Sequence, residues 1–194
     1  MRVSRAQAEA NRDTVVSVAS RLFREHGFDG VGLKALMEGA GLTHGGFYKQ
    51  FESKDDLAAQ ASRRAMEGAT RRWSTAAASG HNALQAVIDL YLSAEHKREV
   101  GDGCPLVALG ADAARQSETI RKPFEDGIKA HLRVIEELLP DGAPASRSEK
   151  AMATLSLMVG AVLLSRIVTD EALSDDLLSA AASEVRKIIG AEGA

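Results

Sequence analysis

Apolar and polar positions along this chain repeat at helical spacing from one end to the other. In residues 33–51, Leu33, Leu36, Met37 and Ala40 fall at i, i+3, i+4 and i+7, which is one face of a helix. Gly41 comes next, a residue that can take positive φ and stop that helix. Leu42 is an apolar plug, and Thr43 is a suitable N-cap for a second short helix over 43–50. Phe47 and Phe51, four apart, face inward on it. Its outer face is then Thr43, His44, Gly45, Tyr48 and Lys49. Two short helices joined by a tight glycine turn, the second polar on its outside, make the pattern of a DNA-reading helix-turn-helix.

The same spacing predicts helices over 10–26, 33–39, 43–50, 54–77 and 82–96, a short one from Pro105, then 117–139, 148–169 and 174–189, about nine in all. Residues 1–10 read as a loose basic arm. Gly27 ends the first helix, with Phe28 folding back on it. Ser53 and Asp56 form a capping-box-like start for the fourth helix, and Gly80 and Asn82 break it. Pro105 stands at a first helical position with Cys104 as N-cap. Pro123 is tolerable only in the early turns of its helix, and Pro140, Gly142 and Pro144 end that helix. No strand alternation or repeat is present, so the chain reads as all-α. It divides into a helix-turn-helix domain over 1–52 and a second helical domain over 53–194.

Gly41-Leu42-Thr43, Gly46-Phe47-Tyr48, Phe51, Lys54 and Leu57 resemble the N-terminal signature of the tetracycline-repressor (TetR) family. Val15, Ala19, Leu22-Phe23 and Gly27-Phe28 fit that family's first helix. The matched block covers about the first 57 residues and departs from the pattern at Gly32, where many relatives have Thr or Ser, and at the pair Gly45-Gly46. The resemblance implies DNA contacts by Thr43, His44, Tyr48 and Lys54. It also implies a homodimer through a four-helix bundle, and a body whose helices admit a small-molecule effector that shifts the two heads.

Net charge is −3, from 24 Lys and Arg against 27 Asp and Glu, so the whole chain is no generic polyanion binder. The first 55 residues hold eight cations against seven anions, a mild basic bias at the end meant for phosphate. A single cysteine, Cys104, excludes an internal disulfide and a cysteine-rich zinc site. The N-terminus lacks an apolar leader. The uncharged run between Lys150 and Arg166 is too short and too rich in Ser, Gly and Thr to span a bilayer. A cytoplasmic protein with no cofactor and no membrane partner is the expectation.

Candidate contacts to double-stranded operator DNA are Thr43, His44, Gly45, Gly46, Tyr48, Lys49 and Lys54. The two glycines reflect close approach to DNA or, alternatively, close packing against the first helix. His44 reads a base or is a solvated surface histidine, and Tyr48 reaches a phosphate or is a half-buried core residue. The helix over 148–169 is apolar nearly all round, so it belongs at an interface or in its own core. Met152, Leu155, Val159, Gly160, Leu163, Leu178 and Val185 are the candidate dimer contacts. Trp73, Tyr91, Cys104, Phe124 and His131 are the candidate effector-pocket residues, and so few aromatics favour a small or aliphatic ligand. Gly103-Cys104-Pro105-Leu106 also resembles a motif of one TetR branch, some of whose members sense electrophiles or oxidants; the other reading of Cys104, and the one favoured by the sequence, is a small buried residue. A ligand-responsive regulator, most simply a repressor, is the leading reading. A DNA-binding accessory protein without a ligand is the first alternative. An enzyme pairing Cys104 with His96 or His131 is the second, though no orienting third group, phosphate loop or metal spacing supports it.

Overall fold

The computed structural model describes residues 4–79, 82–140 and 142–190, and among these every regular element is helical. Helix α1 (Arg5–His26) starts at Ser4, whose hydroxyl accepts from the Gln7 N–H at 3.2 Å. The arm expected over 1–10 is thus helical from Arg5, because a good N-cap precedes the helix formers Ala6, Gln7, Ala8 and Glu9. Residues 1–3 lie outside the described residues. Gly27 ends α1 with φ 76°, donating to the Phe23 carbonyl at 2.8 Å. Phe28 folds back so that its ring centre is 5.3 Å from that of Phe23.

Helix α2 (Leu33–Gly39) ends in a Schellman motif. Gly41 takes φ 70° and donates to the Glu38 carbonyl, while Leu42 donates to Met37, both at 2.9 Å. The next element, η1 (His44–Lys49), is a 3₁₀ helix and not the α-helix expected over 43–50. Two adjacent glycines each cost an α-helix up to about 1 kcal/mol. The Thr43 hydroxyl makes no capping bond. Little local support is left for α geometry, and a short run of the tighter helix results.

Helix α3 (Lys54–Ser79) opens as a near-reciprocal box. Asp56 donates its N–H to the Ser53 hydroxyl at 3.0 Å, and its carboxylate accepts from the Glu52 N–H at 3.2 Å. Gly80 lies outside the described residues, and Asn82 caps α4 (Ala83–Tyr91), accepting from Gln85 N–H at 3.0 Å. The one helix expected over 82–96 is two. The Ser93 hydroxyl accepts from the His96 N–H at 3.0 Å and starts α5 (Ala94–Arg98), a side-chain bond that competes with helix continuation. Helix α6 (Pro105–Ala113) has Cys104 at its N-cap and Pro105 in its first turn, as read. Helix α7 (Glu118–Leu138) runs on through Pro123 in its second turn. Helix α8 (Pro144–Ile167) starts four residues early, because Pro144 opens it instead of closing its predecessor. Helix α9 (Glu171–Ile189) is capped by Asp170, which accepts from Ala172 and Leu173 at 2.9 and 3.2 Å.

Two apolar clusters organise these helices. The first holds Val15, Phe23, Phe28, Leu36, Met37, Phe47, Phe51 and Leu57, together with Met66 of α3, Leu109 of α6 and Ile120 and Phe124 of α7. The head over 1–52 therefore closes its core with side chains from the body. The second joins Trp73, Val87, Ile88, Tyr91, Ile135, Met158 and Val162 to Leu178 and Val185 of α9. Gly127 lets α7 cross α3 closely, since a Cβ there would lie 2.8 Å from the Met66 Cβ. Helix α8 is long and apolar enough to cross a membrane by length and composition, but one face is buried against α7 and α9. That face carries Ala151, Leu155, Met158 and Val162. The other carries Met152, Leu163 and Ile167, all exposed, with Val159 and Gly160 half-covered.

Candidate nucleic-acid interface and effector cavity

The Schellman turn fixes where η1 leaves α2, and Phe47 pins η1 by burying fully in the head core. This leaves Thr43, His44, Gly45, Tyr48 and Lys49 exposed on one edge of the head. Tyr48 is 69% exposed, with its ring edge-on to Phe47 at 5.1 Å, so it is no core tyrosine. A Cβ at Gly45 would meet nothing within 4 Å, and at Gly46 only the tip of Met37 at 3.6 Å. Close packing against α1 is therefore not the reason for the glycine pair. Lys54 is half-buried in the first turn of α3, where the helix dipole favours anions. Neither Lys49 nor Lys54 makes an ion pair among the described residues. Arg12 was missed in the sequence. It donates to the Gln50 carbonyl at 3.2 Å and stacks 5.0 Å over the Phe51 ring, tying α1 to the end of η1. An arginine at the eighth position of a helix, between the polar residues Asn11 and Asp13, gives no sign of that reach in the sequence.

The body contains a pocket of about 130 Å³ lined by Trp73, Tyr91, His96 and Cys104, with Arg72, Glu95 and Glu99 at its wall. Three of the five expected pocket residues thus meet there. His131 sits behind them, its ring 4.3 Å from that of Trp73. Phe124 does not belong to the pocket. It packs edge-on to Phe28 at 6.4 Å in the head cluster, because Pro123 and Phe124 lie on the stretch of α7 that covers the head.

His96, which the pocket prediction omitted, carries the local wiring. Its Nδ1–H donates to the Tyr91 carbonyl at 2.6 Å, and its Nε2 accepts from the Cys104 N–H at 2.9 Å. The second bond requires the neutral ring, and burial lowers its pKa to about 4. The lone pair that a general base would use is occupied by a backbone donor, which removes His96 as a base for Cys104. His131 is likewise pushed down to about 4 by burial. Its Nδ1 bonds the Gly127 carbonyl at 2.8 Å, and its Nε2 has no partner among the described residues. The Tyr91 hydroxyl, beside Cys104, is also unpartnered, and burial pushes its pKa well up.

Three arginines from three helices hold the segment leading to Cys104. Arg24 of α1 donates to the Gly103 carbonyl at 2.9 Å, and Arg72 of α3 reaches the same oxygen at 3.4 Å. Arg166 of α8 donates to the carbonyls of His96, Lys97 and Glu99 at 2.7, 2.9 and 3.0 Å. Further along, Asp112 of α6 accepts from the Phe28 N–H at 3.3 Å. The pocket segment is thereby bonded directly to the N-terminal head, and to α8. None of these contacts has a periodic signature in the sequence.

A trihelical head with one bare polar edge, mounted on a helical body that holds a small cavity, has the build of a helix-turn-helix regulator of transcription. Residues 15–61 match the family model described as bacterial regulatory proteins, tetR family, and residues 81–182 match the LmrA/YxaF-like transcriptional regulator C-terminal domain. The chain belongs to the tetR family, with a body of the LmrA/YxaF-like kind. It is 28% identical over 164 residues to the HTH-type transcriptional regulator LmrA of Bacillus subtilis, covering 80% of this chain and 86% of that protein. It is 24% identical over 135 residues to the HTH-type transcriptional repressor NemR of Escherichia coli, 68% of each. The reduced form of E. coli NemR shares the fold at a TM-score of 0.77 over 93% of this chain and 97% of that one, at 22% identity. A TetR regulator from Chloroflexus aurantiacus does so at 0.78, over 95% and 96%, at 24% identity. The function is that of a ligand-responsive, DNA-binding transcriptional regulator.

Proposed function

We propose that this protein is a cytoplasmic repressor that binds a palindromic operator as a homodimer and leaves it when a small molecule or electrophile occupies the body pocket. The observation that carries this reading is the bare polar edge of η1, anchored from beneath by Phe47. Thr43, His44, Gly45 and Gly46 would enter the major groove, with His44 reading a base edge. Tyr48, Lys49 and Lys54 would meet phosphates. Two half-sites about 34–36 Å apart require two heads. The exposed face of α8, with Met152, Val159, Gly160 and Leu163, supplies the proposed interface, extended by Leu164, Ile167 and Leu173, also exposed. Leu155, Leu178 and Val185 are withdrawn from that interface because they are buried in the protomer's own core. Residues 1–52 and 53–194 act as reader and sensor while sharing one apolar cluster.

Release follows from the wiring of the pocket segment. A ligand beside Trp73 and Tyr91, or an adduct on Cys104, would move the Gly103 carbonyl that Arg24 of α1 holds. Cys104 would form an S–C bond to an electrophilic carbon, and the thiol proton would pass through solvent to the displaced electron pair. Both heads must fit at once, so a shift of a few ångströms suffices. The test is selection of bound duplexes from a random pool, followed by a release screen on the winner. An inverted repeat with half-sites one helical turn apart is expected. Enrichment of a single unrepeated half-site would reject the dimeric reading.

A further inference from the structure

A second and larger groove, of about 890 Å³, runs between α1 and α3 beside the effector pocket, sharing Arg72 and Leu90 with it. Four arginines line it, Arg24 from α1 and Arg64, Arg71 and Arg72 from α3, against one carboxylate, Asp102. In a chain of net charge −3 this concentration of cations has no compositional cause. Apart from Arg64, which pairs with Asp13, their partners inside the protein are poor in negative charge. Arg24 and Arg72 share one neutral carbonyl, that of Gly103, and Asp102 stands 3.9 Å from Arg24. Arg24 is only 9% exposed, and burial together with the charge of Arg72 holds its pKa below the usual arginine value. Arg64 is engaged by Asp13 and Ser17. Arg71 makes no ion pair among the described residues. Ala65, Gly68 and Ala76 give the groove a smooth floor, and Ser17 and Thr75 add hydroxyls.

The groove is not part of the DNA edge. Arg72 lies eighteen residues along α3 from Lys54, about 27 Å at the rise of an α-helix. Arginine forks match phosphate oxygens bidentately, and several together suit a ligand with more than one phosphate. The groove's volume falls in the range of nucleotide-sized sites. We propose that this groove is a binding site for a small molecule carrying a diphosphate group, gripped by Arg71 and Arg72 and closed by Arg24. Such a ligand competes with the Gly103 carbonyl for Arg24 and Arg72, and so reports on the same segment that holds Cys104. Only this consequence for DNA rests on the regulator reading. Occupancy of the groove does not.

The experiment is calorimetric titration of the full chain with inorganic diphosphate, with ADP and with neutral adenosine, at low and raised salt. Saturable one-to-one binding of diphosphate and ADP, none of adenosine, and a tenfold or greater loss in Arg71→Gln and Arg72→Gln are expected. Arg71→Lys should retain part of the affinity. Arg71 is exposed, so its variants test the site without threatening the fold. Absence of saturable diphosphate binding, equal binding of adenosine, or unchanged affinity in both glutamine variants overturns the site. Displacement of bound ADP by a random DNA duplex, at concentrations that leave the head variant Lys54→Ala equally displaced, also overturns it, because the groove would then serve nucleic acid. Operator affinity measured with no added probe tests the regulator reading separately. ADP binding that leaves operator affinity unchanged keeps the site and removes its coupling to DNA.

Discussion

Replacing Leu163 by Glu isolates the proposed pairing surface, because Leu163 is 40% exposed on the face of α8 opposite the core. Burying a whole leucine side chain is worth about 1.5–3 kcal/mol. Covering the exposed fraction in a dimer then yields roughly 0.6–1.2 kcal/mol per protomer. A two-fold axis counts the residue twice, so the apolar loss is roughly 1–2.5 kcal/mol. At 1.4 kcal/mol per decade this raises the dimer Kd by roughly 5- to 60-fold. Two carboxylates brought together near the axis add repulsion and desolvation, so the figure is a floor. Sedimentation velocity over a concentration series measures the Kd directly. Circular dichroism and thermal melting should show an unchanged protomer, since the core face of α8 is untouched. Operator binding should fall with the dimer population, and raising protein concentration should recover it. A dimer Kd within threefold of wild type would refute the assignment of this face, and an unfolded variant would refute the claim that Leu163 lies outside the core.

Lys54→Ala should weaken binding to every duplex and lower the salt slope by about one phosphate contact, whereas His44→Ala should change base preference, both read by titrating specific and random duplexes at several salt concentrations. Gly127→Ala should destabilise the fold by about 1–3 kcal/mol in urea melts, because the new methyl collides with Met66 where α3 and α7 cross. His96 and His131 are neutral when folded, with pKa lowered to about 4 from 6.5, so the unfolded chain binds more protons between those values. Their contribution is full above pH 6.5 and is lost as pH falls towards 4, up to roughly 3 kcal/mol each. Urea melts at pH 7.5 and 5 should differ accordingly, and His96→Asn should remove about half of the difference, His131 keeping the rest. Cys104→Ser should abolish release from the operator by quinones or hypochlorite in gel-shift assays. Normal release by the variant would end the sensing role.

The elements that could be read ahead of the structure are those whose signal is local. Gly27 and Gly41 stop helices wherever they occur at the end of an apolar stripe, and both do so here with positive φ. Ser53, Asn82 and Pro105 announced helix starts for the same reason. The 3₁₀ geometry of η1 and the break at Ser93 escaped notice because each turns on one or two hydrogen bonds within an otherwise acceptable helical pattern. The pocket was half legible. Trp73, Tyr91 and Cys104 stood out as rare residue types, but His96 became part of the site only through the fold back to Cys104. Phe124 was misassigned because periodicity gives its face on α7 and not which neighbour that face meets. On α8, composition revealed too much apolar surface for one face, while only packing could sort Leu155 from Leu163.

Because Met66, Leu109, Ile120 and Phe124 complete the apolar core of the N-terminal head, the seam between the two halves of this regulator is not a place where evolution or an engineer can cut freely. A hybrid made by fusing residues 1–52 to a foreign sensor would inherit a floor shaped for other side chains. Exchange of specificities between such proteins therefore has to carry these four body positions along with the N-terminal segment, or confine itself to the few solvent-facing residues of η1.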